Sequence, residues 1–296
     1  AQAEPRPAPS APAPAPKGVK APSAPAPAPK GAKAPSVPAP APKPAPDPAP
    51  KPSPEQVAVA AAFPAVVRSA GAALGPDACL KCHGPEHEVW NKSQHFRALT
   101  TVPRKPEARA IVTSVGDKRM NRSAVCGLCH FTTVADKTIA GPSCESCHGS
   151  AERWIDVHNN YGAAKSRQNE TVEQRQARFD QATKAGMVWS HQLYDVAANC
   201  MSCHGLANDL LTDEQATAML DAGHPINPAF ELVAYSQGSV RHRFYPPKTN
   251  VNQEMSKAEL SVMYAVGQAA ALVSASRAVS KTKHAKYSAA QNQRIA

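Results

Sequence analysis

Cys144-Glu145-Ser146-Cys147-His148 is one of four Cys-X-X-Cys-His stretches in this chain of 296 residues; the others span 79–83, 126–130 and 200–204. Between them they use every cysteine: Cys79, Cys82, Cys126, Cys129, Cys144, Cys147, Cys200 and Cys203. The pattern reads as covalent attachment of c-type haem, the two thiols adding to the vinyl groups and the next residue reaching the iron. His83, His130, His148 and His204 are thus the candidate proximal ligands of four haems. A thioredoxin-like pair or half of a zinc site needs no histidine directly after the second cysteine, and here it follows all four times. No thiol is left over for a disulfide.

Outward from these motifs the chain divides into unlike parts. Twenty of its 30 prolines precede residue 55. Residues 10–23 read SAPAPAPKGVKAPS and 23–36 read SAPAPAPKGAKAPS, a 13-residue period. Alternating Ala-Pro favours extended polyproline II, at about 3.1 Å per residue, and buries too little apolar surface to fold alone. Residues 1–54 are therefore read as a Pro/Ala/Lys-rich arm, either a spacer or a strap laid on a partner. Residues 55–75 are read as a connecting segment with a short helix, 76–280 as the haem domain, and 281–296 as a polar, basic tail that frays.

About 220 residues for four cofactors leave little protein to build a core around each, so the porphyrins must form much of it. The expected fold is mainly α with much irregular loop, organised around four covalent haems, and it should not form without them. Pro85 opens a helix expected to carry Trp90, Phe96 and Leu99. Asn169 or Thr171 is expected to cap a helix in 165–185, with Gln174 closing a box. Leu260, Met263, Val266, Ala270 and Val273 mark one face of a C-terminal helix. The three tryptophans are expected against porphyrin faces, and the methionines in packing roles. Because the second and third motifs start 18 residues apart, their haems are expected to be neighbours.

The formal charge of +10 is offset in part by two propionates on each haem, so a nucleic-acid partner is not implied. There is no run of 18 apolar residues to form a transmembrane segment. The opening Ala-Gln-Ala-Glu has the look of a mature end after signal cleavage. Haem attachment of this kind takes place outside the bacterial cytoplasm, so a periplasmic or extracellular location is expected.

Seven histidines lie outside the motifs: His87, His95, His158, His191, His224, His242 and His284. The stretches CLKCHGPEHEVWNKSQHFRAL (79–99), GPSCESCHGSAERWIDVH (141–158) and, more loosely, GHPINPAFELVAYSQGSVRHRF (223–244) resemble blocks of the tetrahaem cytochrome c-554 family. The resemblance implies cross-ligation by distant segments. His95 would be the distal ligand of the fourth haem, His158 of the first and His224 of the third. The family's founding member has a high-spin second haem without a distal protein ligand; here His191 and His242 are candidates for that place. His87 reads as a neighbour of a haem edge and His284 as solvated.

Closely packed, fully ligated haems serve to move single electrons between redox partner proteins, and that is the function expected. Two other classes stay open. Haems exposed at both ends would allow subunits to stack into a conductive filament through the haem domain and arm. A five-coordinate second haem would allow reduction of a small nitrogen oxide.

Overall fold

The computed structural model describes residues 71–242 and 252–295. The arm at 1–54 and nearly all of the connecting segment at 55–75 lie outside the described residues. What is described is mainly helical, with one two-stranded ribbon. The order is α1 (Asp77–Leu80), α2 (Gly84–Asn91), α3 (Gln94–Thr101), α4 (Ala108–Ser114), α5 (Ala124–His130), β1 (Thr132–Val134), β2 (Lys137–Ala140) and α6 (Cys144–His148). There follow α7 (Val172–Lys184), α8 (Leu193–His204), α9 (Asp213–Asp221), a π-helical turn (Ala234–Ser239), α10 (Lys257–Lys281) and α11 (Ala285–Asn292).

The helix expected after the first motif is two helices. Pro85 opens α2, but the chain breaks at Ser93, whose hydroxyl accepts from Phe96 N and caps α3. A serine that bonds the backbone ahead of it competes with the helix behind it. The break gives His95 a direction of its own rather than one two turns along from His87. Thr171 and Gln174 form the expected reciprocal box at the start of α7, and Ser256 with Glu259 does the same for α10.

The second and third motifs are joined by the antiparallel β1–β2 ribbon, which turns at Ala135 and Asp136, both at positive φ. Such a two-residue turn usually advertises itself by Asn-Gly or Asp-Gly, absent here. Thr132 Oγ1 closes the base of the ribbon on Gly141 O and Ser143 Oγ, each at 2.9 Å. A Cβ on Gly141 would run into the carbonyl of His95, so β2 passes against the start of α3 only because this residue is glycine.

The final segment does not fray. It folds back as α11, in which Tyr287, Ser288 and Gln291 are buried. Tyr287 Oη donates to Leu206 O at 2.6 Å and Gln291 Nε2 to Gly205 O at 2.9 Å, so α11 grips the chain just past the fourth motif. Its polarity misled because these side chains satisfy buried carbonyls rather than water. α10 is the one described helix long and apolar enough to cross a membrane by length and composition alone. It buries Met263, Gly267, Ala270 and Val273, with Met263 and Ala270 packed with Ala197 of α8 and with Leu232.

Apolar side chains gather in three small clusters: Ile111, Leu206, Met219 and Tyr287 with neighbours; Ala197, Leu232, Met263 and Ala270; and Val112, Cys126 and Phe131. Met219 and Met263 serve in these clusters as packing residues.

Candidate haem centres

The motifs sit at helix ends, where a short turn presents two thiols and an imidazole together. The second ends α5, with Ser123 capping Cys126 N at 3.1 Å; the third is all of α6; the fourth ends α8. Gly149 stops α6 at a positive φ of 84°. A Cβ there would collide with Gly186 O, and the close approach lets His148 Nδ1 reach Val188 O at 2.8 Å.

Each motif histidine faces one other histidine of the chain. Ring centroids are 6.3 Å apart for His83 and His158, 5.9 Å for His130 and His224, 6.3 Å for His148 and His242, and 6.0 Å for His204 and His95. A metal–imidazole bond is about 2 Å and a ring nitrogen about 1.1 Å from its centroid, so one metal between two axial imidazoles needs about 6.2 Å. The four pairs fit an iron each. None of the eight cysteines is in a disulfide. Among the described residues no group of three or more His, Cys, Asp or Glu is gathered as a cage for a bare ion. Two protein ligands suffice where a porphyrin supplies the other four.

The partners are not all those implied by the resemblance. His95 lies opposite His204 and His158 opposite His83, but His224 faces His130 of the second motif rather than His148 of the third. The third is faced by His242. The physical reason is that 224–242 crosses several sites in succession, so its two histidines reach different motifs. His191 is set between Phe179 and Trp189, with ring centroids at 5.1 and 6.0 Å. His87 is buried with its edge to Trp90 and Nδ1 at 3.1 Å from Asn91 Nδ2. His284 lies 3.7 Å from Glu214.

Burial holds His95, His130 and His148 at about 4, and it also pushes His158, His204 and His224 below the ordinary imidazole value. All six are neutral at pH 7, the form that binds metal. Nδ1 is engaged by Val188 O in His148, by Ile155 O at 2.6 Å in His158 and by Pro225 O at 2.9 Å in His224. Each such bond fixes the tautomer and leaves Nε2 for iron.

The sites fall into two groups. His148 lies close to His242, His83 and His158, and the Cys79 side chain interacts with that of Cys144, so the first and third motifs adjoin. His130 feels His224, His204 and His95, and Cys203 Sγ is 3.8 Å from Leu128 O, so the second and fourth adjoin. The ribbon thus sends the second and third motifs, close in sequence, into different groups. Asn199 ties the groups together: one residue ahead of the fourth motif, it donates to Ser146 O at 2.7 Å and Cys147 O at 3.0 Å in the third.

Several supporting residues carry no sequence signal of their own. Glu145, inside the third motif, is buried and accepts from Leu74 N, Gly75 N and Ala151 N at 2.7–2.9 Å. Arg178 is buried with Glu170 in a two-pronged pair, both bonds 2.7 Å, and donates at 2.6 Å to His158 O. Phe230 stacks on His204 at 4.0 Å and 12°.

No curated protein and no solved structure was found to match the chain. Residues 78–149, with three of the motifs and His95, are similar to the family described as cytochrome c554 and c-prime, whose model they match.

Proposed function

We propose that this chain is a four-haem carrier that passes single electrons between redox partner proteins outside the cytoplasm, in the periplasm or beyond the cell. The observation that carries the reading is the set of four histidine pairs, each made within one chain. When bound, haem c supplies a one-electron ferric/ferrous couple tuned by its ligands and surroundings. The chain's own part is to hold Cys79 and Cys82, Cys126 and Cys129, Cys144 and Cys147, and Cys200 and Cys203 for attachment. It also offers His83 with His158, His130 with His224, His148 with His242 and His204 with His95 as axial ligands.

If both histidines of each pair held its haem iron, no place would be left for a substrate, and this weighs against the reductase reading. The neighbour relations give an order of first, third, fourth and second site along the molecule. His83, half-exposed beside Glu86, makes the first site the natural port for a partner. Carbon monoxide added to the reduced protein tests the reading. The expected result is an unchanged Soret band; a shift accounting for one haem or more would restore the reductase. Sedimentation at high concentration separates carrier from filament, the carrier running as a discrete species.

A further inference from the structure

We infer that Tyr235 positions His95 and thereby sets the reduction potential of the fourth site, an inference that rests on the histidine-pair reading above. His95 differs from His148, His158 and His224 in the partner of its Nδ1. Those three use backbone carbonyls; His95 uses the phenol oxygen of Tyr235, at 2.5 Å. With Nδ1 so engaged, Nε2 is the nitrogen left for iron. The ring of Tyr235 also stands 5.0 Å from His95 and 6.3 Å from His204, beside both members of the fourth pair.

The backbone is shaped for this contact. Tyr235 lies in the π-helical turn Ala234–Ser239, where Val240 N donates to Tyr235 O five residues back. Turns of this wider kind are rare and occur often at functional positions. The turn is pinned on α10, since Ser236 Oγ donates to Leu232 O at 2.6 Å and lies 3.4 Å from Met263 Sδ. Tyr235 also lies near Cys147 and Cys200, where third and fourth motifs meet. An acceptor at Nδ1–H makes an axial imidazole a better electron donor and favours ferric iron. A side chain can be exchanged where a carbonyl cannot, so substitution of Tyr235 can reset the potential of this site.

The test is Tyr235→Phe, which keeps the ring and removes the oxygen, in full-length protein checked for haem content by pyridine haemochrome. Redox titration followed by EPR should show one low-spin component favouring the ferrous state by about three- to tenfold more than in wild type. The tenfold limit corresponds to about 59 mV upward for a one-electron couple. The other three components should stay in place, and Tyr235→Gln, which restores an acceptor, should recover part of the change. Four unchanged potentials, or four moving together, would overturn the inference. If Tyr235→Phe loses haem, paramagnetic NMR of wild type decides. A slowly exchanging axial Nδ1–H with a dipolar contact to the Tyr235 ring supports it, and a freely exchanging one overturns it. A high-spin component in wild type would instead strike at the pairing itself, so the two failures are distinguishable.

Discussion

The first and third sites and the second and fourth sites are held by different means. In the first group the axial rings are anchored on backbone, His148 by Val188 O and His158 by Ile155 O, with Arg178 reaching the carbonyl of His158. In the second group side chains join the backbone in the holding: Tyr235 on His95 and Phe230 on His204, beside Pro225 O on His224. Backbone anchors tie ligand geometry to the fold itself. Side-chain anchors let ligand electronics vary while the fold stays. Substitutions around the first group should therefore cost stability, and those around the second should change haem properties at nearly constant stability.

The largest effect expected is loss of a ligand. His224→Ala should convert one haem in four to high spin and open it to carbon monoxide, with the chain still folded. Retention of four low-spin haems would break the pairing with His130. Next, Arg178→Ala strands Glu170 in a buried place. Removing one partner of such a pair costs about 3–5 kcal/mol, read as an earlier denaturant midpoint. Arg178 also holds the Glu170 carboxylate below its ordinary 4.5. Because the folded value is the lower one, the stabilisation is present above pH 4.5 and is lost as pH falls through the depressed value. The wild-type-minus-variant difference in midpoint should shrink accordingly in acid.

Glu145→Gln comes third. It replaces an acceptor of three buried or half-buried amides with a group that also donates, at a cost of about 1–3 kcal/mol. Equal stability of variant and wild type by urea denaturation would contradict a structural role for the Glu145 contacts. The smallest change is Phe230→Leu, where loss of the stack on His204 should cost about 0.5–1.5 kcal/mol while altering the EPR g-values of one haem. If it destabilises as much as Arg178→Ala does, the contrast between the groups fails.

What the sequence made legible follows the range of the interactions. The Cys-X-X-Cys-His motifs, the Thr171 box and the apolar face of α10 are local patterns, and each occupies the residues expected. Pairing across the chain is not local. The third motif faces His242 and the second His224 because 224–242 threads past both, and nothing in the spacing of two histidines tells which motif comes first. The Ala135–Asp136 turn carries none of the usual residues. Polarity marked 281–296 as solvated, although Gln291 and Tyr287 are polar so as to serve the carbonyls of Gly205 and Leu206. Glu145 lies in one of the two variable places that the motif itself declares uninformative.

Low-temperature EPR of the oxidised, full-length protein, integrated against haem content, tests the central claim most directly. Four low-spin haems per chain with no high-spin signal are predicted from four histidine pairs. A high-spin signal amounting to one haem, or fewer than four haems per chain, would contradict it.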